Sequence, residues 1–288
     1  MSDSPRVLII GAKGMLGTDL VQTFSERFGT GLEAAGRVVG IDTESVDITE
    51  PTSVFSAFSR YKPTLVVNAA AYTDVDGAET NRALAYRVNT QGPINLLAAC
   101  REFQVPLVHF STDYVFDGTL NRPQTEEDEL HPASYYAETK ALADRALLLS
   151  SLVLVLRVQW LYGKAKNRFT TLKDKKIFTP FSDQYGCPTW TRDIAAMVVT
   201  LCDRNARGLF HFAYDDYATW AEVFEFVKKE LRLSTELRPK KTEEAKLPAA
   251  RPKFGVLGTA KLRNFLGRDT LGDWKTALRD FLKDAGTT

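Results

Sequence analysis

Val7-Leu-Ile-Ile10-Gly11-Ala-Lys-Gly14-Met-Leu-Gly17 joins an apolar run to three glycines at three-residue spacing, and a helix-like stretch from Thr18 to Phe28 follows. Strand, glycine turn and helix in that order are the context a dinucleotide-binding loop needs. Gly11 permits the sharp turn, Gly14 lets the backbone approach a pyrophosphate, and Gly17 lets the helix pack close to the strand. The helix N-terminus adds N–H groups and the positive end of a dipole. Lys13, Met15 and Leu16 complete the expected cofactor loop. The alternative is a glycine-rich turn without a ligand, and the GxxGxxG spacing differs from the GxGxxG of many dehydrogenases.

Outward from this loop, short apolar runs alternate with amphipathic stretches. Strands are expected over residues 7–10, 37–41, 65–68, 108–111 and 152–158, with helices over 18–28, 51–61, 82–103 and 135–149. Nearly all-apolar strands separated by helices predict a Rossmann-type α/β fold, a doubly wound parallel sheet covered on both faces. After Tyr162 the pattern loosens: a basic loop, helices over 194–204, 220–231 and 271–285, and a strand over 208–212. Residues 1–162 are therefore expected to form the dinucleotide-binding domain, and residues 163–288 mainly a smaller substrate-binding lobe interleaved with the last strands. A substrate would bind between the two, beyond the C-terminal ends of the strands.

Composition limits the other possibilities. Thirty-seven Lys and Arg against 36 Asp and Glu give a formal charge of +1, so no bulk electrostatic case exists for nucleic acid or an anionic membrane. The start, Met-Ser-Asp-Ser-Pro, shows no basic and apolar export pattern, and no apolar run approaches the roughly 18 residues a membrane span requires. Three cysteines, Cys100, Cys187 and Cys202, lack metal-ligand spacing and read as a reduced, cytoplasmic chain. The three histidines are scattered, no zinc pattern exists, and His109 reads as a core residue on a buried strand.

The chemistry-bearing residues lie at expected strand ends. Tyr136-Ala-Glu-Thr-Lys140 puts a phenol and an ammonium on one helix face, where the lysine is expected to lower the phenol's pKa. Ser111-Thr112-Asp113-Tyr114 places a hydroxyl at the end of the fourth strand, although such a residue also simply starts turns. Together they suggest a triad: Thr112 positions a carbonyl oxygen, Tyr136 donates the proton, and Lys140 supports Tyr136 and holds the nicotinamide ribose. Asp42, after the second strand, is placed to meet the adenosine ribose; Asp47 and Ile48 either face the adenine or belong to the entry of the next helix. Ala69, Ala70, Ala71 and Thr73 follow the third strand, where small residues let a cofactor lie against the backbone or let a helix pack closely.

Taken together these residues resemble the extended short-chain dehydrogenase/reductase superfamily, and more narrowly the dTDP-4-dehydrorhamnose reductase family. The similarity runs through Gly11–Gly17, Asn68-Ala-Ala-Ala-Tyr-Thr-Asp-Val-Asp76, Asn89, Phe110-Ser-Thr-Asp-Tyr-Val-Phe-Asp-Gly118, Tyr136–Lys140, Trp160, Asp183-Gln-Tyr-Gly-Cys-Pro-Thr189 and Arg251-Pro252. The resemblance implies reduction of the C4 keto group of a dTDP-linked 4-keto-6-deoxy sugar by NADPH or NADH. It implies a sugar pocket lined by Val75, Thr112, Asp113, Tyr114 and Trp160, with Asn167 and Arg251 near the nucleotide and Asn89 near the cofactor. No metal ligand is implied, and a homodimer is compatible. Between Asn167 and Asp183 the chain is about one helical turn shorter than the family pattern. That departure leaves another dTDP-keto-sugar open as substrate; a regulatory subunit that binds the cofactor without turnover, and an epimerase or dehydratase with tightly held NAD, are the further alternatives.

Overall fold

The computed structural model describes residues 5–29 and 38–286; Arg37 of the expected second strand and the first four residues of the N-terminal stretch lie outside them. Six parallel strands form the central sheet: β1 (Val7–Ile10), β2 (Val38–Ile41), β3 (Leu65–Asn68), β4 (Leu107–Thr112), β5 (Val153–Val158) and β6 (Gly208–His211). Their order across the sheet is β2-β1-β3-β4-β5-β6. Between β1 and β3 the winding reverses, and in such a sheet that switch point opens a crevice above the strands' C-terminal ends.

Alternate residues of each strand face opposite layers. Val7, Ile9, Val67, Val108 and Phe110 join one apolar cluster, with Leu20 and Phe24 of α1 (Met15–Phe28) and Ile194 and Val198 of a later helix. Leu8, Ile10, Val66, Leu107 and Val155 join the other, with Val54 and Phe58 of α2 (Pro51–Tyr61) and Leu96 and Leu97 of α3 (Gly92–Glu102). A sheet covered on both sides explains why its strands read as unbroken apolar runs.

The stretch expected as one helix over 82–103 is broken. Arg82–Tyr86 is α-helical, Arg87–Gln91 forms a π-helical turn, and α3 follows. Pro93 lies in the first turn of α3, and proline has no N–H with which to continue the ladder from the preceding turn. The Gly92 N–H instead reaches back to the carbonyl of Arg87, five residues earlier. Such single turns recur at functional sites, and this one carries Asn89.

Helix α4 (Tyr135–Leu147) carries the tyrosine and lysine; its first turn is capped by the Ser134 hydroxyl, which accepts from the Ala137 N–H. The C-terminal third returns to the sheet: α5 (Thr191–Asp203) packs on α1, and β6 pairs with β5. The rest, with α6 (Trp220–Glu230), α7 (Ala260–Leu266) and α8 (Trp274–Asp284), lies over that flank; three two-stranded pairings tie its loops together.

Candidate active site

At the switch point the glycine loop and the end of β3 meet backbone to backbone. Gly11 adopts φ +79°, and a side chain on it would sit 2.6 Å from the Ala70 amide nitrogen. A Cβ on Gly17 would collide with the Gly11 carbonyl oxygen. The missing Cβ of Gly11 thus lets the loop settle onto the backbone of Ala69 and Ala70. Gly14 is the N-cap of α1, and no side chain among the described residues caps that helix. The first-turn N–H groups of a 14-residue helix are therefore left for an anion, and the crevice fits a dinucleotide pyrophosphate.

Asp42 and Asp47 have local work. The Asp42 carboxylate accepts from the Lys13 and Thr43 N–H groups at 3.0 and 2.9 Å, which ties the end of β2 to the glycine loop. The Lys13 ammonium pairs with Glu44 at 2.6 Å on the surface. Asp47 closes a turn onto the Thr49 N–H at 2.9 Å, and its own N–H donates to Ser53 of α2, as the helix-entry reading had it. Ile48 is buried and its carbonyl accepts from Asn95. Asn89 reaches in two directions: its side chain pairs with both the N–H and the carbonyl of Tyr72, at 2.8 and 3.0 Å, and donates to the Thr139 hydroxyl at 3.1 Å. Asn89 therefore pins the loop holding Ala71 and Thr73 to the helix of Tyr136 and Lys140.

The end of β4 brings the three catalytic candidates together. The Thr112 hydroxyl donates to Asp113 Oδ1 at 3.0 Å, accepts from the Tyr114 N–H, and lies close enough to the Tyr136 phenol to influence it. The Tyr114 and Tyr136 rings meet edge to face at 6.0 Å. Burial pushes the Asp113 carboxyl up to about 7, and its Oδ2 is a buried oxygen without a partner.

One electrostatic expectation is corrected. Burial holds the Tyr136 phenol above its ordinary value, and the charge of Asp113 pushes the same way. Lys140 does not outweigh them here; its Nζ is turned inward, donating to the Phe110 carbonyl at 2.7 Å and lying 3.2 Å from His109 Nε2. Burial brings the Lys140 ammonium down to about 8. His109 is the buried core residue expected, yet it touches Lys140, which the sequence did not signal.

Across the cleft, two further expectations change. Arg251 does not offer a free fork: it is bidentate to Asp76 at 2.6 and 2.8 Å, and Asp76 also accepts from the Ala249 N–H. Asn167 caps the turn Thr170–Asp174, accepting from Phe169 and Thr170, because a short polar side chain two or three residues ahead of free N–H groups is drawn onto them. Arg168 is what the sequence reading missed. Its guanidinium lies 4.7 Å from the Trp220 ring centre, and Trp220 stacks on Trp160 at 3.8 Å. No carboxylate pairs with it among the described residues, and Tyr114 is close enough to feel its charge. Trp160 holds φ 45°, unusual for a bulky side chain, and Gly186 leaves room for its ring, since a Cβ there would come within 2.5 Å. Val75 lies half-buried on the loop after β3.

Comparison with known proteins assigns this architecture. The family model described as "RmlD substrate binding domain" matches residues 5–287. A dTDP-4-keto-6-deoxy-D-glucose reductase of Streptomyces niveus is 36% identical over 281 residues, 95% of each chain. The chain belongs to the dTDP-4-dehydrorhamnose reductase family. Among solved structures of the family, one from Clostridium acetobutylicum superposes with a TM-score of 0.90 at 32% identity, covering 98% of this chain and 99% of that one. Another, from Bacillus anthracis and in complex with NADP, also gives 0.90, at 28% identity with the same coverage. The Rossmann-type parallel sheet expected from the alternating strands and helices is the fold observed. Among the described residues no group of three metal-ligating side chains converges, and no helix is long and apolar enough to cross a membrane.

Proposed function

We propose that the chain reduces the C4 keto group of a nucleotide-linked 4-keto-6-deoxy sugar at the expense of NADPH or NADH, with dTDP-4-dehydrorhamnose to dTDP-L-rhamnose as the leading reaction. The observation that carries this reading is the convergence of Thr112, Tyr136 and Lys140 at the end of β4, beside an uncapped helix N-terminus. The dihydronicotinamide, when bound, supplies the hydride. Gly11, Gly14, Gly17 and the first turn of α1 would hold its pyrophosphate, and Lys140 its ribose.

Tyr136 holds the proton that the forming alkoxide needs, and Thr112 orients the keto oxygen toward it. Asp113 sits next to that oxygen's expected position. A carboxyl that is protonated in part near neutral pH repels a developing negative charge less than a full carboxylate would. Val75, Tyr114 and the Trp160–Trp220 stack would line the sugar pocket. In this reading residues 1–162 bind the dinucleotide and carry the catalytic pair, while residues 163–288 mainly face the substrate but also lend β6 and α5 to the first unit. We place the activity in the cytoplasm, and a homodimer is a matter for light scattering.

The test is NADPH and NADH oxidation by purified protein with dTDP-4-dehydrorhamnose and other dTDP-4-keto-6-deoxy sugars, with the product identified by NMR. Substrate-dependent oxidation yielding the C4 alcohol is expected. Saturable cofactor binding without turnover on any of these sugars would sink the reading and favour a regulatory role.

A further inference from the structure

A buried hydrogen-bond chain runs inward from Lys140, away from the substrate. The Ala70 N–H donates to Asn68 Oδ1 at 3.1 Å, which fixes the amide so that Nδ2 faces His109 Nδ1, also at 3.1 Å. An amide NH2 can only donate, so Nδ1 must be the accepting nitrogen of the ring. A neutral imidazole has one accepting nitrogen; Nε2 therefore carries the hydrogen. That N–H points at Lys140 Nζ, 3.2 Å away. An ammonium there would set two donors against each other, whereas a free amine accepts from Nε2–H and still donates to the Phe110 carbonyl. Asn68, His109 and Lys140 are 1%, 0% and 3% exposed, so water is not at hand to relieve the conflict.

We propose that His109 is a positioning residue that holds Lys140 poised between ammonium and free amine, with Asn68 fixing the tautomer that makes this possible. Its effect on turnover rests on the catalytic reading above; the charge state of the lysine does not.

The other charged groups around Lys140 are accounted for. Asp144, one turn on along α4, favours the ammonium, but its carboxylate is paired with Arg157 of β5 at 2.9 Å. Tyr136, one turn back, stays neutral at these pH values because burial holds its phenol high. Asp113 and Tyr114, beyond the end of β4, act on Tyr136. The direction of the lysine's titration, brought down by burial to about 8, agrees with the geometry. Lys140 would thus change charge within the range where a reductase works. His109 itself stays neutral there, since burial and the neighbouring Lys140 charge both disfavour its protonation.

The experiment has two arms. In the first, the protein without cofactor, labelled with 15N-histidine, is observed by long-range 1H–15N NMR; only three histidines need assignment. His109 is expected as the Nε2–H tautomer, with a shift change centred near pH 8 that vanishes in Lys140→Met. An Nδ1–H tautomer, or no change on titration, overturns the proposal. In the second, kcat/KM is followed against pH for wild type and His109→Gln. A glutamine oxygen accepts from the ammonium, so the alkaline limb should move up by about one pH unit, with KM for the sugar unchanged. An unmoved limb in a folded variant also overturns it. If His109→Gln does not fold, Asn68→Asp, which removes the donor facing Nδ1, replaces it and should switch His109 to the Nδ1–H tautomer. If the reductase assay fails while the NMR step is present, the catalytic reading has failed and the lysine–histidine inference stands.

Discussion

On the β1–β3 side of the cleft, the groups that would face a ligand belong to the main chain; on the side built by residues 160–168, 185–190 and 217–255, they are side chains gathered from distant parts of the sequence. The first wall is a glycine turn and an uncapped helix end, fixed by close backbone approach. The second is an arginine on a tryptophan on a tryptophan, beside an arginine already occupied by an aspartate. A backbone wall can recognise what every dinucleotide has in common. A side-chain wall can be retuned one residue at a time, which is where related reductases would diverge in sugar and nucleotide preference.

This contrast predicts unequal sensitivity. Gly17→Ala should have the largest effect, because the new methyl meets a backbone carbonyl that cannot turn aside. A loss of about 3 kcal/mol in stability or in dinucleotide binding is expected, read by thermal melting and cofactor titration. A variant with native melting and native cofactor affinity would break the backbone account of that wall.

The two arginines sharpen the comparison. Arg251→Ala breaks a bidentate pair across the cleft and should cost about 1–2 kcal/mol, at the low end because the Asp76 side chain is 37% exposed. Arg168→Ala breaks no ion pair among the described residues, so it should leave the melting temperature nearly unchanged while raising KM for the sugar nucleotide about tenfold. The reverse pattern, with Arg168 governing stability and Arg251 governing KM, would show the roles to be exchanged.

A pH-dependent effect is expected at Asp113. Its carboxyl is raised in the folded chain, so it contributes stability that is fully present below its ordinary value of 3.8 and is lost as pH rises through about 7. Asp113→Asn keeps the shape and removes the titration. Wild type should therefore lose stability relative to the variant between pH 4 and pH 8; parallel melting curves over that range would rule out a protonated Asp113 at neutral pH.

What could be read from sequence follows the same division. The parallel sheet, the glycine loop and the Tyr136–Lys140 helix were legible because each is written in neighbouring residues: an apolar run, a glycine spacing, an i,i+4 pair. The break at Gly92-Pro93 was visible as residues but not as a π turn, since its stability comes from Asn89 reaching Tyr72 and Thr139. Arg251 and Asn167 were read as ligand-facing by family likeness, and nothing in sequence announces that Asp76 and a local turn reach them first. Arg168 carried no motif, and its place is set by the chance of Trp220 folding under it. The inward turn of Lys140 was hidden for a similar reason: His109 and the Phe110 carbonyl belong to another element.

The measurement that bears most directly on the account is sugar-dependent oxidation of NADPH and NADH by wild type and Tyr136→Phe, with cofactor affinity measured on both. Wild type should turn over dTDP-4-dehydrorhamnose, and the variant should bind cofactor equally well while losing about 10²- to 10⁴-fold in turnover. A variant that turns over like wild type would show that the proton comes from elsewhere and would contradict the assignment of this site.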